Sequence, residues 1–168
     1  MADSFTLGTV EVSLSPQERF EEFLQSRGKR ITQQRRVLVE HIFRRHEHFD
    51  ADELTDELGR RDISPRVSRP TVYRTLSELV DAGLLRKFEI GGRSVYEHDY
   101  GYPQHDHMHC QTCNKLYEFS NDELAQLRDR VAREYGFRVT GHRFIITGIC
   151  QKCRAAQQQR RKRPVDLV

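Results

Sequence analysis

The chain has 168 residues, 36% hydrophobic and 32% charged, a composition that suits one medium domain or two small ones with a modest core. No run approaches the roughly eighteen apolar residues of a membrane span, and the opening MADSFTLGTVEV lacks the basic and apolar regions of a signal peptide. A cytoplasmic location follows, where four cysteines are better suited to a metal than to disulfides.

Net charge is +3, but its distribution says more. Four cations stand together at 160–163, which leaves the rest of the chain near neutral. Between Arg27 and Arg45, seven Lys/Arg face a single acid, Glu40. A local positive patch on a balanced body suits nucleic acid.

Residues 1–14 show no periodicity and read as a flexible arm. Ser15-Pro-Gln-Glu18 then forms a capping box with proline at the first helical position. Phe20, Phe23 and Leu24 give that helix an apolar stripe, and Gly28 stops it. Thr32 caps a second helix with Val37, Leu38 and Ile42 inside. Asp50 and Glu53 open a third, with Ala51, Leu54 and Leu58 on its stripe and Gly59 at its close.

Ser68-Arg-Pro-Thr71 begins a fourth helix, ended by Gly83. Its Val72, Leu76, Leu79 and Val80 cluster on one side; Arg74 lies almost opposite, near Thr71 and Glu78, with Tyr73 on the flank. LLRKFEI and RSVYEHD follow, two strand-like runs joined by Gly91-Gly92, which is a hairpin signal. Helices followed by a hairpin give the order of a winged helix-turn-helix over residues 15–99. The fourth helix would enter the major groove and the hairpin would be the wing.

Residues 100–104, YGYPQ, read as a linker, and the pattern then changes. HMHC and KLYEF look like strands, and Ser120 with Glu123 caps a helix with Leu124, Leu127 and Val131 inside. FRVTGHRFIITGIC is a β-rich run. Residues 105–154 thus form a small α/β domain, and the fold class is α+β. From Ala155 to 168 the chain is polar and basic, the composition of a disordered tail.

Cys110, Cys113, Cys150 and Cys153 form two C-x-x-C pairs. Four thiolates complete the tetrahedron of Zn²⁺ and leave no open position, so this is a structural zinc site rather than a hydrolytic one. A redox pair would need only one C-x-x-C. His105, Asp106, His107 and His109 just before them cannot join a complete four-sulfur site. A second site needs its own partners, with Glu97, Glu118 and a histidine of the first domain as candidates. Imidazole and carboxylate suit Fe²⁺, Mn²⁺, Co²⁺ or Zn²⁺ without choosing among them. There is no H-E-x-x-H and no further acid/base constellation, so no catalytic residue is assigned and the chain does not read as an enzyme. The rival readings, a metal-dependent hydrolase and a protein-binding zinc ribbon, leave the DNA-like half unexplained.

In this order and spacing, S-R-P-T-V-Y-R-T-L-x-x-L-x-x-A-G-L, G-G-R-S-V-Y-E, H-D-H-x-H-C-x-x-C and a late C-x-x-C resemble the ferric uptake regulator (Fur) family, from about Ser15 to Cys153. The resemblance implies a homodimeric, metal-dependent transcriptional repressor. It would bind a palindromic double-stranded DNA operator through its winged helix and dimerise through its second domain, with no membrane and no small organic substrate.

Position by position, the resemblance puts the regulatory metal on His48, Glu97, His105, His107 and Glu118. It puts DNA contacts on Arg35, Tyr73 and Arg74, beside the outward Thr71, and structural zinc on the four cysteines. Of a further metal site found in many members, only Asp106 and His142 remain, since Gln104 and Ala125 stand at its other positions. His109 has no role. Peroxide sensors of the family use aspartate at the positions of Glu97 and Glu118, and zinc sensors often recruit an extra cysteine. Fe²⁺ is therefore the expected regulatory ion, with Zn²⁺ or Mn²⁺ as alternatives.

Overall fold

The computed structural model describes residues 10–44, 48–60 and 65–162, with side chains to 159. Arg45, most of the expected arm and the end of the tail lie outside the described residues. The described chain divides into two compact units between Pro103 and Gln104.

Local signals near the backbone set the first unit's helices. α1 (Pro16–Ser26) starts at a complete capping box between Ser15 and Glu18, and α2 (Gln33–Phe43) starts at Thr32, whose hydroxyl accepts from the Arg35 amide. Before α3 (Ala51–Arg60) the Asp50 carboxylate accepts from the Glu53 amide at 2.7 Å, and Glu53 reaches back to the Asp50 amide at 3.3 Å. α3 runs through Gly59 to Arg60 instead of closing at the glycine. Ser68 caps α4 (Arg69–Asp81).

The stripes of these helices meet in one core. Phe20, Leu24, Leu38, Val39, Ile42, Leu54, Val72, Leu76 and Leu79 are fully buried there. Val39 takes the inner position expected of Val37, which is half-buried. β1 (Leu85–Ile90) and β2 (Arg93–His98) pair antiparallel with Ile90 opposite Arg93. Gly91 and Gly92 between them both have positive φ (57° and 78°), which two adjacent glycines adopt without a Cβ clash and which a two-residue type I′ turn requires. Backbone bonds between Phe49 and Tyr96 (3.2 and 2.8 Å) fasten the wing to the start of α3.

The second unit holds a three-stranded sheet in the order β4-β3-β5. β3 (Asp106–Cys110) is central, antiparallel to β4 (Leu116–Phe119) and parallel to β5 (Ile145–Gly148). α5 (Asp122–Glu134) links β4 to β5 and is capped by Asn121, one residue beyond the expected Ser120. None of its side chains is buried, so Leu124, Leu127 and Val131 do not lie inside as the periodicity suggests. Leu127 and Val131 are 44% and 43% exposed, and with Tyr135, Phe137 and Phe144 they line an open apolar groove of about 480 Å³.

The final difference is α6 (Gln151–Lys162), a helix where a disordered tail was expected from Ala155. QKCRAAQQQRRK is polar but made almost wholly of good helix formers, without Gly, Pro or β-branched residues.

Candidate metal centres and DNA-reading face

The two C-x-x-C pairs meet. Cys110 ends β3, Cys113 sits in the turn to β4, Cys150 follows β5 and Cys153 lies in the first turn of α6. Asn114, with φ 56°, folds the first turn back so that its amide reaches the Cys110 carbonyl at 2.8 Å. All four Sγ atoms lie within 4.8 Å of one another, and Cys113 and Cys150 are 3.9 Å apart. A tetrahedral ion with Zn–S of about 2.3 Å holds its sulfurs about 3.8 Å apart, so the donor set fits Zn²⁺.

The thiols are also unequal. The Cys110 thiol is lowered to about 6, first by the Cys150 amide, which donates to its sulfur at 3.3 Å, and then by the Cys113 amide. The Cys153 thiol is pushed up to about 12, first by its bond to Cys150 and then by burial. One thiolate forms readily; four need a cation among them.

Tyr117 completes this corner, and sequence reading missed it. A hydrogen bond with Cys150 is the first cause that drives the Tyr117 hydroxyl up to about 12, and the same bond helps lower the Cys150 thiol. The signal that could have found it is the alternation of KLYEF, which puts Tyr117 opposite Met108 beside the first C-x-x-C.

The other candidate ligands form two groups, one in each unit. In the second, His105 and His107 stack edge-on with ring centroids 4.8 Å apart. Glu118 lies opposite His107 in register, its carboxylate 3.7 Å from His105 Nε2. All three are largely buried, with side chains of His105 and Glu118 4% and 16% exposed. In the first unit, His48 Nε2 stands 3.3 Å from the Glu97 carboxylate, and both side chains are mostly buried. A buried carboxylate beside imidazoles is costly unless positive charge joins it, and this donor chemistry suits a first-row divalent ion. His109 is 8% exposed, and its Nε2 has no hydrogen-bond partner among the described residues.

Asp106 and His142 do meet, with His142 Nε2 3.1 Å from the carboxylate. Gln104 and Arg128 occupy the other ring nitrogen, Nδ1, at 2.7 and 3.0 Å.

On the recognition helix α4, Arg74 is exposed and Tyr73 is 40% exposed. The Tyr73 hydroxyl donates to Asp52 at 2.6 Å, and Arg69 pairs with the same oxygen. Thr71 is half-buried, its hydroxyl 2.8 Å from that of Ser68. Glu78 is not on the outward side as its wheel position suggests. It is 5% exposed and accepts from Arg35 at 2.7 and 3.0 Å and from Lys29 at 2.8 Å. Arg35, expected at the DNA, therefore has its side chain 13% exposed and turned into an ion pair with α4.

A winged helix with an outward arginine, joined to a unit with metal-ligand clusters, defines a metal-dependent, DNA-binding transcription regulator. The model of the ferric uptake regulator family matches residues 26–147. The chain belongs to that family, whose members are transcription regulators. It is 32% identical to the ferric uptake regulation protein of Campylobacter jejuni over 136 residues, covering 81% of this chain and 87% of that one. The crystal structure of the Vibrio cholerae ferric uptake regulator is similar at TM-score 0.65 and 30% identity, over 77% of this chain and 98% of that one. A zinc uptake regulator solved with zinc and DNA is similar at TM-score 0.54 and 25% identity, over 87% of this chain and 99% of its own.

Proposed function

We propose that the chain is a cytoplasmic, homodimeric repressor that binds a palindromic DNA operator when a regulatory site, most suited to Fe²⁺, is loaded. What supports this reading is a buried carboxylate beside imidazole in each unit. His48 and Glu97 belong to the DNA-binding unit, while His105, His107 and Glu118 belong to the other. A divalent ion shared by both sets would supply the positive charge that each buried carboxylate calls for.

The residues on each side of residues 100–104 would then fix the angle between the units. In a dimer that angle sets the spacing of two recognition helices, which must match half-sites about 34 Å, or a multiple, apart. Moving such an equilibrium from mostly open to mostly closed takes about 5.5 kcal/mol of differential binding. Glutamates at 97 and 118, with all four cysteines gathered in another cluster, favour iron over peroxide or zinc sensing. Zn²⁺ on that cluster is structural, and nothing in the donor sets calls for a catalytic role. Thr71, Tyr73 and Arg74 face the DNA. Arg35 serves as a strut that holds α2 to α4 through Glu78.

The exposed apolar groove on α5 suits a second copy of the chain, which would bury the stripe that one protomer leaves open.

A gel shift with operator DNA and Fe²⁺, Mn²⁺ or Zn²⁺ tests the reading. Wild type binds only when loaded, most tightly with Fe²⁺. His107→Ala loses metal-dependent binding yet keeps its zinc. Arg74→Ala keeps both metals and weakens binding by roughly five- to a hundred-and-fiftyfold, as for a lost contact worth about 1–3 kcal/mol. Normal metal response in His107→Ala sinks the site assignment, and unchanged affinity in Arg74→Ala at fixed salt removes it from the interface.

A further inference from the structure

Asp106 and His142 sit beside the metal-ligand run, yet the structure does not read as a third metal site. We propose that Arg128 is a built-in cation that takes the place of a metal ion at Asp106 and His142, tying α5 to the sheet whether or not the regulatory metal is present.

The argument starts from donor and acceptor chemistry. A guanidinium has no acceptor, so Arg128 Nη1, 3.0 Å from His142 Nδ1, donates to that nitrogen. Nδ1 therefore carries a lone pair and no proton. The ring's proton is on Nε2, which donates to Asp106 Oδ2 at 3.3 Å. The Gln104 amide nitrogen is a second donor at Nδ1, at 2.7 Å, and also reaches the His142 carbonyl at 3.4 Å. Asp106, 4% exposed, accepts in addition from the Phe144 amide at 3.2 Å. The ring's one lone pair is thus spent on donors, and the carboxylate is satisfied on both sides.

Charge gives the same answer. A buried carboxylate needs compensation, and the Arg128 charge, shared with Asp129, attracts Asp106 across the neutral imidazole. Asp129 grips Arg128 Nε at 2.7 Å and holds the guanidinium charged and in place. A divalent ion entering here would have to displace a cation. Ala125, one turn earlier on the same face of α5, offers no donor atom. The residues present do not fit a metal.

The network also ties together segments that packing does not. It joins α5, through Arg128, to the loop before β5, through His142, and to β3, through Asp106. Since α5 buries no side chain within the protomer, this polar strut holds its place.

The inference rests on the reading of two metal centres per protomer, and metal counting separates the two. Equilibrium dialysis of the full chain against Co²⁺ is expected to give two equivalents per protomer in wild type and two in His142→Ala. A third equivalent in wild type that vanishes in His142→Ala overturns the inference. His107→Ala that still binds two equivalents overturns the two-centre reading and leaves Arg128 untouched. The strut has its own readout. Arg128→Ala lowers the melting temperature by a few degrees, and by the same amount in zinc-loaded chain with or without Mn²⁺. An unchanged melting temperature, or a loss seen only without Mn²⁺, overturns it.

Discussion

The two units solve the problem of a small core in opposite ways. Residues up to Pro103 close an apolar core around nine side chains with no exposed surface at all, drawn from α1 to α4. Beyond Gln104 no helix buries a side chain among the described residues; the buried positions are on or next to β3 and are mostly histidine, aspartate and cysteine. The first unit is held by the hydrophobic effect. The second gathers four cysteines and a polar network around β3 and leaves the apolar face of α5 open. Domains this small often need such staples.

The comparison is broken most sharply at the cysteines. Cys110→Ser removes the most buried thiol, the first to ionise. The second unit is expected to lose zinc and unfold while the first keeps its helices. Metal analysis with amide exchange checks this; a zinc-free chain with both units protected would show that coordination does not hold the second. The pH dependence has a definite sign. The Cys110 thiol lies well below the ordinary value in the folded chain, so its contribution is present above that ordinary value and is lost as pH falls through about 6. Zinc uptake by metal-stripped chain is expected to fall off there.

The reverse break is Phe20→Ala. Its ring is fully buried in the first core, and truncation costs about 3–5 kcal/mol. Unfolding followed by circular dichroism should show the first unit melting earlier with zinc content unchanged. A smaller effect falls on association. Leu127→Ala leaves the protomer intact, because Leu127 is 44% exposed in it. If a second copy covers the side chain, the loss is about 1.5–3 kcal/mol, roughly ten- to a hundredfold in dimer dissociation by sedimentation. An unchanged dimer would place the interface elsewhere.

How much of this was legible follows the same divide. Capping boxes, stripes and the Gly-Gly turn are local signals, and the first unit's elements follow from them at Ser15, Asp50, Ser68 and Gly91. That the four cysteines form one cluster was legible because two C-x-x-C pairs that share an ion must come together, and their sulfurs do. Amphipathicity shows that Leu127 and Val131 want cover without saying whose, so a face left open within the protomer read as inside. Glu78 misled because a helical wheel does not know that Arg35 and Lys29 come to meet it. Ser120 and Asn121 are both capping residues, and propensity does not choose between neighbours. For Arg128 there was no sequence signal, since nothing local says that the segment after α5 folds back to bring His142 against it.

The finest test compares two caps of similar chemistry. Ser68 caps α4 by accepting from the Thr71 amide, and Asn121 caps α5 by accepting from the Leu124 amide at 3.1 Å. Replacing either with alanine removes about 1 kcal/mol of local stability, roughly fivefold in opening. α4 has five buried residues to hold it, so Ser68→Ala should loosen only the first turn, which carries Arg69 and Thr71. Operator affinity then drops a few-fold with metal content unchanged. α5 has no buried residue in the protomer, so Asn121→Ala should speed amide exchange along the whole helix and act on association rather than on DNA. Amide exchange on both variants, read at monomer concentrations, decides the matter. Equal and local effects would mean that α5 is held as firmly as α4, and the contrast between a packed unit and a stapled one would fail at its smallest scale.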